Sequence, residues 1–396
     1  MFHKDHLLIY ICAFLRSTGV SLTGVVIAIY WAKLGFSAPH IGVLTTFGLL
    51  GGAAATLVMS FWADSLGRRN SLLLLALFSI GGAVALMLKL HFLVLCGAVF
   101  LGMVNGMGRD RLASFSIEQS ILSSVSTVHE RTKAFAWYSL VMDVGHALGS
   151  LLGSLPFLLR TKWAVSEILS YQAVFAFYGF LLFVCILCYL NLSHKVEVHK
   201  DPTQKISKQS QKRVMKFAGI SFLDALGGGF LTGALVSYWF YKKFGVTEEV
   251  IGLIFFGARI ANALSFLGAA WLAKKMGLVN TMVFTHIPSN IVLMLVALSP
   301  ALWLAIVLYL IRESFVEMDV PTRQSYVASI VEPHERTFAI GILNVTRTLG
   351  WGLSPALAGQ AIKGLSLSAP FFIGSSIKIF YDLILYKTFR HISEGT

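Results

Sequence analysis

From the N-terminus the chain alternates long apolar runs with short polar interruptions. A run needs about 20 mostly apolar residues to cross the hydrocarbon core as a helix. Twelve segments meet that length, near residues 7–31, 40–63, 71–89, 92–126, 133–159, 168–190, 215–241, 249–272, 279–298, 301–329, 337–361 and 370–389. In lipid, backbone polar groups must find partners inside their own segment, so these runs predict helices and the expected class is an all-α membrane protein. The first run contains Arg16 and no small-residue cleavage signature, so it reads as a retained helix and not as a removed signal peptide.

The pattern is duplicated. Ile117–Thr132, IEQSILSSVSTVHERT, returns 205 residues later as Thr322–Thr337, TRQSYVASIVEPHERT, with seven of sixteen positions identical. The same register sets Gly145 opposite Gly350 and, with slight slippage, Ser37-x-x-x-Ile41-Gly42 opposite Thr247-x-x-x-Ile251-Gly252. A period this long is no solenoid, and it predicts twelve transmembrane helices in two pseudo-symmetric six-helix bundles, a parallel repeat of the kind found in some transporters. The expected divisions are an N-terminal bundle over 1–190, a cytoplasmic linker over 191–214 and a C-terminal bundle over 215–396. The linker is polar, basic and aperiodic, as a flexible tether is.

Composition fits a polytopic membrane protein: 56% of residues are hydrophobic and 13% charged. The net charge of +13 invites a nucleic-acid reading, but the Lys and Arg collect between apolar spans and no basic patch sits on a soluble fold, so no nucleic-acid partner is expected. At and beyond the ends of the spans, 17 basic residues lie on the side that holds both termini and 7 on the other. That asymmetry predicts cytoplasmic termini and linker in a plasma (inner) membrane. Cys12, Cys96, Cys185 and Cys188 all lie in apolar runs, where a reduced thiol behaves as a small hydrophobe. Cys185 and Cys188 have metal-like spacing but no second pair, and neither a metal nor a cofactor is expected.

Eight bases and eight acids fall in the interior of the spans, away from their ends: Arg16, Arg109, Arg111, Arg259, Arg312, Arg323, Arg347 and Lys378 against Asp110, Glu118, Asp143, Asp224, Glu313, Glu317, Asp319 and Asp382. An ionised side chain at the bilayer centre costs at least ~2.5 kcal/mol, so these groups must face one another or water. Counting helical rise from the span ends puts Arg16, Asp143, Arg259, Arg312 and Arg347 near mid-depth and Asp224 slightly shallower, the layer where secondary transporters bind substrate. The candidate substrate and coupling residues are Arg16, Arg109, Arg111, Asp143, His146, Asp224, Arg259, Arg312, Glu313, Asn344 and Arg347. Arg16 and Asp224 hold near-equivalent places in the two repeats with opposite signs, and are expected to approach each other; the alternative is a purely structural ion pair. Asp143 and His146, spaced i, i+3, form a candidate proton-accepting pair, with a plain helix contact as the alternative. His286 beside Pro288 is expected to serve a kink, and Lys378 with Asp382, spaced i, i+4, to neutralise one another.

Between the second and third spans runs SFWADSLGRRNSL, Ser60–Leu72. It resembles the signature loop of the major facilitator superfamily, G-x-L-A-D-R-x-G-R-R-x-x-L, through Ala63, Asp64, Gly67, Arg68, Arg69 and Leu72, and departs from it at Ser60, Trp62 and Ser65. With the twelve-span duplication the resemblance extends over the whole chain. It implies the fold of that superfamily and a conformational latch at this loop, for which Asp64, Gly67, Arg68, Arg69 and Glu118 are the candidate gating residues. Gly67 permits the tight turn, and Arg68 and Arg69 are expected to reach Glu118. The second repeat keeps only WLAKKMGLVN, Trp271–Asn280, without an acid. Gly145, Gly149 and Gly153 clear one helix face for close approach. The Gly-Pro motif typical of drug antiporters of the superfamily is absent from the fifth span, where Ser150 stands, as is the usual Arg in the fourth, where Gly102 stands.

No phosphate-cradling Gly-rich loop, metal-ligand cluster or Ser, His, Asp constellation is present, which argues against an ATPase or another enzyme. The expected function is secondary active transport by alternating access. The substrate would be a small anionic or zwitterionic organic solute, and the co-transported ion a proton. The expected partners are that solute, the ion and the lipid bilayer, the expected state a monomer. Drug or metabolite efflux by antiport and a non-transporting receptor are the alternatives.

Overall fold

A computed structural model describes residues 4–88, 90–110, 113–126, 128–197, 207–319, 322–323, 326 and 336–389. Its helices are α1 (Lys4–Lys33), α2 (Ala38–Leu66), α3 (Arg68–Met87), α4 (Phe92–Leu101), α5 (Ala113–Val125), α6 (Val128–Leu152), α7 (Leu155–Trp163), α8 (Glu167–Leu190), α9 (Lys208–Gly229), α10 (Gly233–Phe244), α11 (Glu248–Met276), α12 (Leu278–Leu298), α13 (Leu302–Val316), α14 (Arg336–Gly364) and α15 (Ala369–Phe389). Each of the twelve predicted spans falls on helix among the described residues. Eight helical segments there are long and apolar enough to cross a membrane. Most of the repeat at 322–337 and the centre of the linker, 198–206, lie outside the described residues.

Local chemistry sets the helix ends. Pro39 and Pro156 occupy the first turns of α2 and α7, where no amide partner is lost. Ser207 and Thr232 accept the amides of Ser210 at 3.1 Å and Leu235 at 3.3 Å, capping α9 and α10. Gly67, at φ 87°, takes the left-handed turn that separates α2 from α3.

Among the described residues four predicted spans are interrupted where the sequence reading drew continuous helices, the tenth at Glu317–Met318 after α13. The fourth breaks between α4 and α5, with Met103 in the left-handed region at φ 51°. Asn105 holds this break, its amide Nδ2 donating to the Arg109 carbonyl at 2.7 Å and its Oδ1 accepting the Met107 amide at 2.8 Å. The fifth breaks between α6 and α7 at Gly153 and Ser154, and the seventh between α9 and α10. Freed backbone groups at such breaks need protein partners; the Gly106 carbonyl, for one, accepts the Ala234 amide at 2.9 Å.

The chain forms two compact units, Met1–Asp201 with Thr232–Phe256, and Pro202–Leu231 with Gly257–Thr396. The core of the first is built around Ile9, Leu72, Ile121, Tyr138 and Tyr189, and that of the second around Phe217, Met282, Tyr326, Tyr381 and Leu385. In the first unit α1 lies in the groove that the sequence predicted on α6. A Cβ added at Gly145 would stand 2.7 Å from the Phe14 carbonyl oxygen, and one at Gly149 2.2 Å from that of Thr18. In the second unit Gly350 of α14 meets the Phe222 carbonyl of α9 in the same manner, at 2.9 Å.

This close approach makes Gly149→Ala destabilising. Relieving the overlap with the backbone of α1 should cost about 1–3 kcal/mol, seen as a lowered midpoint in thermal unfolding of the purified protein in detergent. Gly219→Ala, where an added Cβ meets nothing within 4 Å, should leave the midpoint unchanged or raise it.

Candidate functional site

Of the fifteen in-span charges among the described residues eleven are buried, and they gather into ionic clusters within each unit. In the first unit the centre is Arg16 on α1. Its Nε donates to Asp110 Oδ2 at 2.6 Å, Nη1 to Glu118 Oε1 at 2.5 Å and Nη2 to Glu118 Oε2 at 2.9 Å, a two-pronged clasp on one carboxylate and a single bond to another. Tyr138 and Tyr189 complete the shell of Glu118, donating at 2.7 and 2.6 Å. Glu118 is fully buried. All three nitrogens of the guanidinium are thus engaged inside this unit, so the expected approach of Arg16 to Asp224 is replaced by local pairing.

His146 joins the cluster through the broken fourth span: its Nε2 accepts the Asp110 amide at 3.0 Å. That bond fixes Nε2 as an acceptor and leaves the ring proton on Nδ1, which stands 4.0 Å from Asp143 Oδ1. The Asp143 side chain is 46% exposed, so the two residues share a face without a tight hydrogen bond. Arg109 is half-buried, and Arg111 lies outside the described residues.

In the second unit the signs are reversed. Asp224 on α9, 2% exposed, receives Arg347 Nη1 at 2.6 Å and Lys378 Nζ at 2.8 Å, with Arg323 Nη1 at 3.6 Å and His286 Nε2 at 3.7 Å behind them. Arg323 is paired with Asp319, and the Arg347 guanidinium lies 4.9 Å over the Trp351 ring. Two expectations change here. Lys378 does not turn to Asp382 on its own helix but crosses to Asp224, because Asp224 is buried among cations and Asp382 is met from the other side by His286 Nδ1, 2.9 and 3.0 Å from its two oxygens. His286 is therefore a member of the ionic cluster, two residues before Pro288 within α12. Spacing along α15 gave no sign of this, since the partners come from other helices.

Of the remaining candidates, Arg312 and Glu313 are paired, and Glu313 also accepts Asn262 Nδ2 at 2.8 Å, a partner the sequence reading missed. Arg259 is half-buried and Asn344 exposed.

The signature loop is held differently from the expectation. Glu118 belongs to Arg16, and Arg68 points instead at the end of α5 and the segment after α8, with Nη1 at 3.3 Å from Ser124 Oγ, 3.4 Å from the Ser120 carbonyl and 3.5 Å from that of Val196. The acid at this loop is Glu197, whose carboxylate accepts the amides of Arg68 at 2.7 Å and Arg69 at 3.0 Å and so caps the N-terminus of α3. The side chain of Asp64 lies outside the described residues. Among the described residues no group of His, Cys, Asp and Glu forms a metal-binding set.

A model of the Major Facilitator Superfamily matches residues 9–220 and again 217–392, one match to each repeat. The chain is 26% identical over 419 residues to the uncharacterized membrane protein YJR124C of Saccharomyces cerevisiae, covering 96% of this chain and 93% of that protein. It is 21% identical over 387 residues to the multidrug efflux protein YfmO of Bacillus subtilis, covering 95% and 90%. Among solved structures, a D-xylose-proton symporter superposes with TM-score 0.75 at 14% identity over 99% of both chains. A POT family transporter in complex with 5-aminolevulinic acid does so with TM-score 0.76 at 13% identity, over 98% of this chain and 96% of that one.

Removing the centre of the first cluster strands two buried carboxylates. Arg16→Met should cost about 3–5 kcal/mol, and combining it with Glu118→Gln should recover part of that loss. A double-mutant cycle on thermal unfolding should give a coupling above ~1 kcal/mol; losses that merely add would show that the clasp contributes nothing.

Proposed function

Since the chain belongs to the major facilitator superfamily, a multi-pass integral membrane family whose model spans both repeats, we propose that it is a secondary active transporter that moves a small anionic or zwitterionic organic solute by alternating access, driven by protons. The observation that carries the substrate class is the convergence of Arg347, Lys378 and Arg323 on Asp224. Guanidinium and ammonium groups gathered around one side-chain carboxylate are chemically suited to a second, incoming carboxylate, which can take over donors that Asp224 holds in its absence. Arg16, Arg109, Arg111, Arg259, Arg312, Glu313 and Asn344 are assigned to the same substrate and coupling path, and Asp143 with His146 to proton exchange. His146 supports this role because protonating Nε2 displaces the Asp110 amide and so disturbs the broken fourth span. Asp64, Gly67, Arg68 and Arg69 form the gating loop, which Glu197 anchors. The proposed setting is a plasma (inner) membrane with both termini cytoplasmic, and the proposed state a monomer.

The likeness to a multidrug efflux protein over 95% of this chain supports a second reading, export by antiport, in which the same sites work with the gradient opposed.

Reconstituted vesicles with an imposed pH gradient test both. A carboxylate-bearing solute from a panel of organic acids, amino acids and sugars should accumulate or be expelled with the gradient, and neutral sugars should not. Arg347→Met should reduce that flux about tenfold or more, the loss of one charge-assisted hydrogen bond of ~1.5–3 kcal/mol, and Asp143→Asn should alter its pH profile. Flux of neutral solutes alone, indifferent to both substitutions, would overturn the reading.

A further inference from the structure

The partners of His286 do not match those of a neutral structural histidine. Its ring is 2% exposed, with Nδ1 bonded to Asp382 and Nε2 directed at Asp224. A neutral imidazole has one N–H and one lone pair, so it cannot offer a proton to carboxylates on both sides. The fixed cations nearby are already committed. Arg347 and Lys378 both bond Asp224, Arg323 bonds Asp319, and on α13, which packs against α12, Arg312 bonds Glu313. Asp382 is fully buried, and among the described residues its hydrogen bonds go to His286. The Tyr381 ring stands edge-on at 6.2 Å from the imidazole and closes that side. Four buried acids, Asp224, Glu317, Asp319 and Asp382, face three fixed cations, Arg323, Arg347 and Lys378, and two of those cations sit on Asp224. Among the described residues no fixed cation bonds Asp382, whose hydrogen-bond partner is His286.

We propose that His286 and Asp382 form a proton-carrying site, and that Lys378 is the cation whose partner depends on whether the proton is there. With the proton bound, Asp382 is satisfied by His286, and Lys378 is free to bond Asp224, as seen here. When the proton leaves, no covalent bond other than N–H or O–H is broken, and Asp382 becomes a buried carboxylate beside a neutral ring. Lys378 is one helical turn away on α15 and is the cation within reach to replace the proton. Moving there removes one of the two strong bonds on Asp224 and loosens α9 from α15. Proton occupancy thus sets how firmly α9 is tied, and, resting on the transport reading, this is how a proton gradient would be coupled to the carboxylate site of the second unit.

Histidine-selective ¹⁵N NMR of the intact protein in nanodiscs tests the site with the proton itself as the ligand. His286→Gln identifies the His286 resonances by their loss. In the wild type they should report loss of one proton as the pH is raised. Asp382→Asn and Lys378→Met should each displace the midpoint by at least about one pH unit, equivalent to ~1.4 kcal/mol, whereas Asp382→Glu should largely restore it. Arg312→Met, in a separate pair, should not move it. A His286 signal that keeps one protonation state throughout, or a midpoint indifferent to Asp382→Asn, would overturn the proposal. Intact titration without solute flux in vesicles would remove the transport reading and leave the proton site standing; flux with an untitrating His286 would do the opposite.

Discussion

An ion stripped of water must be given another charge, and in a bilayer nothing outside the protein supplies it. That constraint organises both units. Around Arg16 the compensation is two carboxylates and two phenols; around Asp224 it is two bonded cations, a third nearby and a histidine. Each cluster ties several helices to one point, and neither can lose its centre without leaving like charges buried together. The glycine faces serve the same end. With α1 in backbone contact with Gly145 and Gly149, the Arg16 side chain reaches the acids of the fourth span.

The fold was readable because its signals are periodic and additive. Twenty-residue apolar runs, a duplication register and glycines spaced by four each survive ignorance of the tertiary structure. The burial of the charges was readable too, since it follows from cost alone. Their partners were not. Lys378 and Asp382 satisfy the spacing of a helical ion pair, but the spacing rule describes competition with water, and in the second unit Lys378 competes instead among buried acids, where Asp224 wins. Glu118 was assigned to Arg68 by proximity in the sequence to a span end, while the structure places it in the interior with Arg16 and gives the loop arginines Glu197, an acid beyond the sixth span that no local motif marks.

The helix breaks belong to the same economy of partners. At 102–110 the chain abandons helical bonding, and the cost is contained because Asn105 satisfies one carbonyl and one amide and His146 takes the Asp110 amide. The break also turns Asp110 toward Arg16, so an irregular stretch of backbone is what allows two acids of one span to meet one guanidinium. The sequence hinted at this in Asn105-Gly106-Met107-Gly108, a string of weak helix formers inside an apolar run, although hydropathy alone carried the span straight through.

Which pairs join the two repeats bears on how such a molecule can move. The clusters around Arg16 and Asp224 each draw their members from a single repeat, so displacing one repeat against the other separates none of those buried ions. Glu248 is different. It comes from the second repeat, is 3% exposed, and is bonded by Tyr171 and, at 2.7 Å, by Arg160, both from the first repeat. The Gly106 carbonyl and Ala234 amide cross between repeats in the same way. These contacts all fall within the first compact unit, which is why Thr232–Phe256 groups there and not with the rest of its repeat.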